Sequence, residues 1–357
     1  MPAAVQKEPR FSYRRLEIRE GDVSPAVARS EIAGKLRGSM NIVVTGGAGF
    51  IGSTLVDRLM GAGHEVSVLD NLSGGCLDFL AQHRRSKQFT FIKMDVRETD
   101  KLKKVLRPDV DLIFHLAANA DIARGVEDPT LDFQHSIVAT FSLLQAMKHH
   151  GIRQLVYTSG SGVYGDRGTN YSSESFGPLE PVSMYGAAKL GAEGLISAFA
   201  HLFEMRAWIL RPANIIGARV THGVVFDFVR RLKKDPRKLR ILGDGKQSKA
   251  YLHVDDVIDA LLLIQKKANE RVNFFNVSSN SFVTVNQIAD EVERMMKLKC
   301  VKFERTGGKI GWKGDVAVVR LRNTRLRALG WRAKHNSRQA VRATIRALLH
   351  DPRLRST

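Results

Sequence analysis

The sequence predicts an α/β fold, a doubly wound parallel sheet of the Rossmann type followed by a smaller α+β unit. From Asn41 onward, short apolar runs alternate with amphipathic stretches, which is the pattern of parallel strands joined by helices. Three glycines with G-x-x-G-x-x-G spacing separate the first run from the first amphipathic stretch, as in a strand–turn–helix unit. After Arg211 the alternation becomes irregular. We therefore assign residues 40–210 to a first domain and residues 211–357 mainly to a second domain interleaved with it.

The elements of the first domain follow each other as strand, helix, strand. The predicted strands are NIVVT, EVSVLD, FTFIKMDV, DLIFHLAA and QLVYTS, and the predicted helices are STLVDRLMGAG, KLKKVLR and FSLLQAMKHHG. In the second domain, FDFVRRLKK is typical of a helix, and NFFNVSSNSFVTVNQIADEVERMM of a strand, a turn, a short strand and a helix. We expect Asp255 and Asp256 to cap the helix in DDVIDALLLI, because aspartate accepts hydrogen bonds from first-turn N–H groups.

Residues 1–39 are polar, of mixed charge and without sustained periodicity, and Met40 directly precedes the first strand. This composition predicts a disordered N-terminal extension, or an upstream start codon ahead of a natural start at Met40.

The composition excludes several classes of protein. No apolar run is long enough to span a membrane, and the first residues contain no apolar signal region. Cys76 and Cys300 are the only cysteines, which favours a reducing cytoplasm. No cluster of His and carboxylates has metal-ligand spacing, so no metal is expected.

The net charge of +20 indicates an anionic partner, which is a phosphorylated small molecule, an anionic lipid or, less favoured, a nucleic acid. Residues 299–357 contain sixteen Lys/Arg against three Asp/Glu. Because these arginines alternate with apolar residues at near-helical spacing, they are typical of amphipathic helices with a basic solvent face.

Gly46, Gly49 and Gly52 are predicted to cradle a pyrophosphate. Glycine lets the backbone turn tightly and approach the phosphates, and the helix N-terminus offers unpaired N–H groups. Asp70 ends the second strand eighteen residues after Gly52, where a carboxylate accepts hydrogen bonds from the adenosine ribose and repels a 2′-phosphate. The next residue is Asn71 rather than an arginine. This pattern favours NAD over NADP.

Tyr185 and Lys189 lie four residues apart at the start of a predicted helix, on one face. A free tyrosine has a pKa near 10 and is a poor base at neutral pH. A neighbouring ammonium and a nicotinamide cation would favour the phenolate, so we expect the pKa of Tyr185 to be lowered.

Between Asn41 and Trp331 the chain resembles the extended short-chain dehydrogenase/reductases, specifically the NAD-dependent nucleotide-sugar epimerases and dehydratases. The matching motifs, in family order, are TGGAGFIG, VLDNLSGG, HLAA, VYG, YGAAK, RPANIIGAR and YLHVDDV. Within the family the chain is most similar to proteins of the UDP-glucose 4-epimerase type. The resemblance implies that the first domain binds NAD and the second mainly binds a nucleotide-diphosphate sugar.

The resemblance also implies roles for individual residues. Cofactor binding would involve Gly46, Gly49, Phe50, Ile51, Gly52, Asp70, Asn71, Asp95, Val96, Leu116, Ala117, Ala118, Tyr185 and Lys189. Substrate binding would involve Asn214, Arg219, Lys249 and Asp315. Asn119, Asp121 and Arg124 follow the nicotinamide-side strand, where their side chains contact substrate or cap the next segment. His115 and His253 are expected to satisfy backbone groups.

The implied mechanism is C4 epimerisation through a transient keto-sugar, with Tyr185 as the base and Lys189 as its activator. Since each turnover regenerates NAD, the cofactor would stay tightly bound. Family members often dimerise through the two long helices beside the Tyr–Lys segment, so a homodimer is expected.

The chain departs from the family pattern at three positions. Gly160 stands where a catalytic Ser or Thr is usual, so Ser161, which we favour, or Ser159 would supply the hydroxyl. Lys249 replaces a phosphate-binding arginine and lacks its bidentate fork. Trp312 stands where many epimerases have another arginine.

Two alternative functions follow. A nucleotide-sugar dehydratase or decarboxylase shares the first step, although Ser161 and Gly162 occupy the places of the dehydratase Asp–Glu pair. A non-catalytic nucleotide- or RNA-binding protein would explain the high charge and Gly160, but it would have little need for the Tyr185–Lys189 pair.

Overall fold

A seven-stranded parallel sheet forms the centre of the fold in the computed structural model, which describes residues 38–119, 122 and 124–354. The strands of this sheet are β1 (Asn41–Thr45), β2 (Glu65–Asp70), β3 (Phe89–Lys93), β4 (Leu112–His115), β5 (Gln154–Thr158), β6 (Arg206–Pro212) and β11 (Val272–Val277). Their order is β11–β6–β5–β4–β1–β2–β3, and every neighbouring pair is parallel. The predicted doubly wound sheet is therefore confirmed. Almost all of the predicted N-terminal extension, residues 1–39, lies outside the described residues.

Two layers of helices cover the sheet. The helices that precede β6 are α1 (Phe50–Gly61), α2 (Thr99–Val105), α3 (Arg124–Glu127), α4 (Pro129–Asp132), α5 (Ala139–His150) and α6 (Met184–Leu202). Alternate strand residues face opposite layers: Val43 belongs to the core that includes Leu143 of α5, whereas Val44 belongs to the core that includes Leu55 of α1. This burial on both faces explains the nearly continuous apolar runs of the strands.

The later part of the chain forms a smaller α+β layer. Its strands are β7 (Asn214–Ile216), β8 (Lys238–Ile241), β9 (Ser248–Lys249), β10 (Tyr251–His253), β12 (Val283–Thr284) and β13 (Lys302–Arg305). Its helices are α7 (Val224–Lys234), α8 (Val254–Lys267), α9 (Val285–Met295), α10 (Thr324–Ala328) and α11 (Ser337–Leu349). Three of them, α7, α9 and α11, bury a separate apolar core. Because β11 returns to pair with β6, this part is interleaved with the large sheet.

Two helices begin differently from the prediction. α1 begins at Phe50, ahead of the predicted Ser53, so that the glycine turn leads directly into the helix. The cap of α8 is His253, whose ring accepts from the Asp255 N–H. Asp256 instead accepts from the N–H groups of Lys334 and His335. In the described part of the chain, no helix is long and apolar enough to cross a membrane.

Candidate active site

The glycine turn between β1 and α1 is packed so closely that two of its glycines have no room for a side chain. A Cβ on Gly46 would lie 2.7 Å from the backbone N of Ala117, and Gly46 has a φ of +69°. A Cβ on Gly52 would lie 2.2 Å from the carbonyl oxygen of Gly46. The turn therefore contacts the strip after β4, where Leu116, Ala117 and Ala118 were predicted to line the nicotinamide.

The N-terminus of α1 suits an anion. Gly49 is its N-cap without a side-chain hydrogen bond, and the first turn, with Phe50 and Ile51, contains no acidic residue. Uncapped N–H groups and the positive end of the helix dipole favour phosphate here. Asp70 fixes the turn, since its carboxylate accepts from the N–H of Ala48 at 2.9 Å and of Leu72 at 2.8 Å.

The predicted adenosine residues lie together beyond β2 and β3. Asn71 donates from its amide to Asp95 at 3.2 Å. Arg97 binds both oxygens of Asp95, at 3.0 and 2.8 Å, and these hydrogen bonds lower the pKa of Asp95 to about 2. Val96 is buried beside them. Sequence reasoning missed Arg97, although it stands two residues after a predicted site residue.

The reacting pair is brought to the carboxyl end of β5. Ser183 caps α6 and so starts the helix at Met184, one residue before Tyr185. The Lys189 ammonium donates to the carbonyl oxygen of Thr158 at 2.8 Å and lies 5.7 Å from the centre of the Tyr185 ring. The helix thus places both side chains on the face that packs against β5.

The surroundings of Tyr185 within the chain raise its pKa, whereas the sequence predicted that this pKa would be lowered. Burial raises the pKa of Tyr185 to about 12, and the nearby carboxylate of Asp132 adds to the rise. Burial also lowers the pKa of Lys189 to about 8, against the opposing charges of Glu193 and Asp132. The physical reason for the difference is that removal from water outweighs the attraction between phenolate and ammonium.

Gly160 lies beside Tyr185 in the segment YTSGSG, residues 157–162. A Cβ built on Gly160 would lie 3.6 Å from a ring carbon of Tyr185 and 3.7 Å from its hydroxyl oxygen. Ser159 is buried, and its hydroxyl has no hydrogen-bond partner among the described residues. Ser161 is half-buried at the start of a 3₁₀ turn, Ser161–Tyr164. Which serine acts stays a prediction.

Two of the predicted substrate residues, Lys249 and Asp315, meet in the smaller α+β layer. The Lys249 ammonium lies 2.5 Å from the Asp315 carboxylate, which also accepts from the Gly311 N–H. Asn214 of β7 pairs with Tyr251 of β10, and Tyr251 follows Lys249 by two residues in sequence. A cation paired with a carboxylate is available to phosphate only if the pair is shared or broken.

Arg219 lies apart from Lys249. Its guanidinium pairs with Asp57 of α1 at 2.7 Å and lies over the ring of Phe79. One buried nitrogen of Arg219 has no partner within the described part of the chain. The structure thus brings Arg219 to the helix of the glycine turn, and its contact with substrate stays a prediction.

A buried ion pair anchors α6 to the large sheet. Arg211 binds both oxygens of Glu193, at 3.0 and 2.6 Å, and donates to the Tyr164 hydroxyl at 2.9 Å. Tyr164 in turn donates to Asn276 of β11. Sequence reasoning missed this network, although Glu193 stands one helical turn after Lys189 and could have been found from that spacing.

Of the two histidines expected to satisfy backbone groups, His253 does so at the Asp255 N–H, whereas His115 bonds side chains instead. His115 bridges the hydroxyls of Thr45 and Thr140 at 2.7 and 3.0 Å, and burial lowers its pKa to about 3. Among the described residues, no group of three or more His, Cys, Asp or Glu could hold a metal ion.

Comparisons with known proteins identify the family. Residues 42–278 match the family model described as "NAD dependent epimerase/dehydratase family". The chain belongs to this family. A UDP-glucose 4-epimerase of Mycolicibacterium smegmatis is 34% identical over 301 residues, which cover 78% of this chain and 95% of that protein.

Solved structures give the same result. The crystal structure of a UDP-galactose 4-epimerase is 35% identical, with a TM-score of 0.78 over 87% of this chain and 99% of that one. A dTDP-glucose 4,6-dehydratase double mutant from Streptomyces venezuelae, solved with NAD bound, is 26% identical, with a TM-score of 0.81 over 87% and 98%. The chain is therefore an NAD-dependent enzyme with the fold of the extended short-chain dehydrogenase/reductases, as the sequence predicted.

Proposed function

We propose that this enzyme interconverts the C4 epimers of a UDP-hexose of the UDP-glucose/UDP-galactose type, and that NAD stays bound through each turnover. The observation that carries the proposal is the position of Tyr185. Its hydroxyl lies beside residue 160, and Lys189 is anchored to Thr158 at the end of β5, with only β4 between β5 and the strand that leads into the glycine turn. A base, a cation and a phosphate-binding turn thus lie at the carboxyl ends of the parallel strands.

The residues present fit NAD. The uncapped N-terminus of α1 provides N–H donors for the pyrophosphate, and the Asp70 carboxylate has lone pairs left for the adenosine ribose after its two backbone bonds. The buried hydroxyls of Thr158 and Ser159 lack partners in the described chain, and polar groups of this kind are expected to be satisfied by a ligand or water.

The chain's own residues then divide the chemistry. When bound, NAD supplies the hydride acceptor and a positive charge that opposes the raised pKa of Tyr185. Tyr185 takes the proton of the sugar C4 hydroxyl at its phenolic oxygen and returns a proton in the reverse step. Lys189, held by the Thr158 carbonyl, keeps its ammonium beside the phenolate.

The diphosphate clamp would differ from that of the family. Lys249 is a point charge already paired with Asp315, and Trp312 stands where a second cation is usual. We expect diphosphate binding through Lys249 and Asn214 to be weaker than bidentate clamping by arginines.

A homodimer is also part of the proposal. The outer faces of α6, α5 and the turn before α5 expose large apolar residues: Phe133 is 46% exposed, Phe141 42% and Leu202 71%. Phe141 packs edge to face on Phe199, which joins the two helices into one apolar surface. Sedimentation of the wild type and of Phe141→Glu tests this, since a charged residue should shift the enzyme to monomer.

Turnover decides between the epimerase and its relatives. Purified enzyme is incubated with UDP-glucose, UDP-galactose, UDP-N-acetylglucosamine or UDP-glucuronate, and the products are resolved by NMR. The proposal expects the C4 epimer of a UDP-hexose without net NADH. Loss of water would identify a dehydratase, loss of CO2 a decarboxylase, and no turnover of any of the four would refute the proposal.

A further inference from the structure

Asp132, the last residue of α4, is a buried carboxylate with no place in the mechanism described above. Its side chain is 0% exposed. One oxygen accepts from the Asn119 amide at 2.9 Å, and the other has no hydrogen-bond partner among the described residues. Burial of an ionisable group with an unpaired oxygen is costly, so such a group indicates a function rather than stability.

The surroundings of Asp132 leave it little freedom to move. Gly125 of α3 lies against it, and a Cβ on Gly125 would come 2.0 Å from the unpaired oxygen. Asn119 holds the other oxygen from the loop after β4. Because α4 also packs against α6, the carboxylate is fixed between the loop after β4 and the helix that carries the reacting pair.

Asp132 acts on that pair by its charge: burial raises the pKa of Asp132, but the Asn119 amide and the Lys189 ammonium oppose that rise. Burial is the main cause that raises the pKa of Tyr185, and the charge of Asp132 is the second. The same charge opposes the lowering of the Lys189 pKa by burial. The groups that face this cluster from neighbouring elements are Asn119, His135, Lys189 and Glu193, with Tyr157 and His115 behind the pair. Burial lowers the pKa of His135, so its ring does not neutralise Asp132 at neutral pH.

We propose that Asp132 is a positioning residue that fixes Asn119 and places a negative charge beside Tyr185 and Lys189, favouring the oxidised, positively charged form of the cofactor. The inference rests on the proposed function, since it assumes that the nicotinamide binds at this pair. An anion here opposes the phenolate and supports both the ammonium and a nicotinamide cation. Asp132 thereby keeps Tyr185 protonated until the cation is present.

The sign of the pH effect follows from the two neighbours. Replacing Asp132 by a neutral residue lowers the pKa of Tyr185. The phenolate then forms at lower pH, and the acid limb of the pH profile of kcat/KM shifts to lower pH. The same change lowers the pKa of Lys189, so the alkaline limb, where the ammonium loses its proton, also shifts to lower pH. We expect both limbs to move by about one pH unit.

The test compares Asp132→Asn with Asp128→Asn. Asp128 caps the same short helix from its exposed end and does not face the reacting pair. Two quantities are measured: the pH dependence of kcat/KM, and the ratio of the dissociation constants for NAD and NADH by calorimetry. We expect Asp132→Asn to shift both limbs and to weaken NAD relative to NADH by about tenfold, whereas Asp128→Asn should change neither.

The outcomes separate this inference from the proposed function. A variant with a lower rate, unmoved limbs and an unchanged NAD/NADH ratio would show a merely structural role and overturn the inference. If the wild type turns over no nucleotide sugar, the proposed function fails, while the cofactor ratio still decides the role of Asp132. Should Asp132→Asn not fold, Asp132→Ser, which also removes the charge, is expected to give the same shift in ratio.

Discussion

The glycine turn and the reacting end of this site differ in how fully their buried polar groups are paired. At the turn, Asp70 accepts two backbone N–H groups, and the Thr45 hydroxyl accepts from the Ala117 N–H. At the reacting end, the described residues leave buried polar side-chain atoms of Asp132, Thr158 and Ser159 without a partner. The first region is fixed by folding alone, whereas the second has polar groups left for bound molecules.

The largest effect should come from filling the turn. In Gly52→Ala the new Cβ would overlap the backbone carbonyl of Gly46, which cannot rotate away. We expect a loss of about 3 kcal/mol or more of unfolding free energy and loss of NAD binding, measured by thermal unfolding and calorimetry.

Gly61→Ala is the matched control. Gly61 is in the same helix, and its Cβ would meet no atom within 4 Å. Alanine here should stabilise the helix by about 0.5–1 kcal/mol. If the two variants behaved alike, the close packing of the turn would not be what fixes this region.

Next in size is removal of the Lys249 charge. Lys249→Ala leaves the mostly buried Asp315 carboxylate unpaired and removes a cation proposed to bind phosphate. We expect KM for the UDP-sugar to rise by about tenfold or more, with kcat nearly unchanged.

Lys249→Arg restores the charge and adds a bidentate fork, so its KM should equal or fall below that of the wild type. An alanine variant with wild-type KM would place the phosphate clamp elsewhere.

A hydroxyl change beside Tyr185 should have a smaller effect. Ser161→Ala is expected to lower kcat by about tenfold, roughly 1.4 kcal/mol of barrier, while Ser159→Ala, whose hydroxyl is buried, should change it less. Equal and negligible losses in both variants would mean that no serine of this segment assists Tyr185.

The smallest effect is a gain from Gly160→Ser. Gly160 has an extended backbone with φ of −175°, which any residue adopts, and a Cβ there would make ordinary contacts with Tyr185. The added hydroxyl should raise kcat by about fivefold, the effect of one neutral hydrogen bond, whereas Gly160→Ala should not. A serine variant slower than the alanine variant would contradict this view of position 160.

The glycine turn was also easier to predict from the sequence than the reacting end. The strands around the glycine turn are set by apolar runs and by glycines whose spacing has a local cause, so β1, β2 and the position of Asp70 at the end of β2 followed from short segments. Position 160 was found as well, by counting back from Val163.

The reacting end depends on contacts that no local pattern encodes. Asp132 lies in a short polar helix without periodicity, and its meeting with Asn119 depends on how that helix packs against α6. The Lys249–Asp315 pair joins residues 66 positions apart. Local signals also misassigned the cap of α8, because Asp256 binds the N–H groups of Lys334 and His335, which lie far along the chain.

The central claim is that Tyr185 is the acid–base group at the reacting end. The direct test measures kcat for UDP-glucose epimerisation by Tyr185→Phe, with the exposed Tyr171→Phe as control and NAD binding confirmed for both. We predict a fall of about 1,000-fold for Tyr185→Phe with an unchanged unfolding temperature, and wild-type activity for Tyr171→Phe. A Tyr185→Phe enzyme that keeps the wild-type rate would contradict the claim.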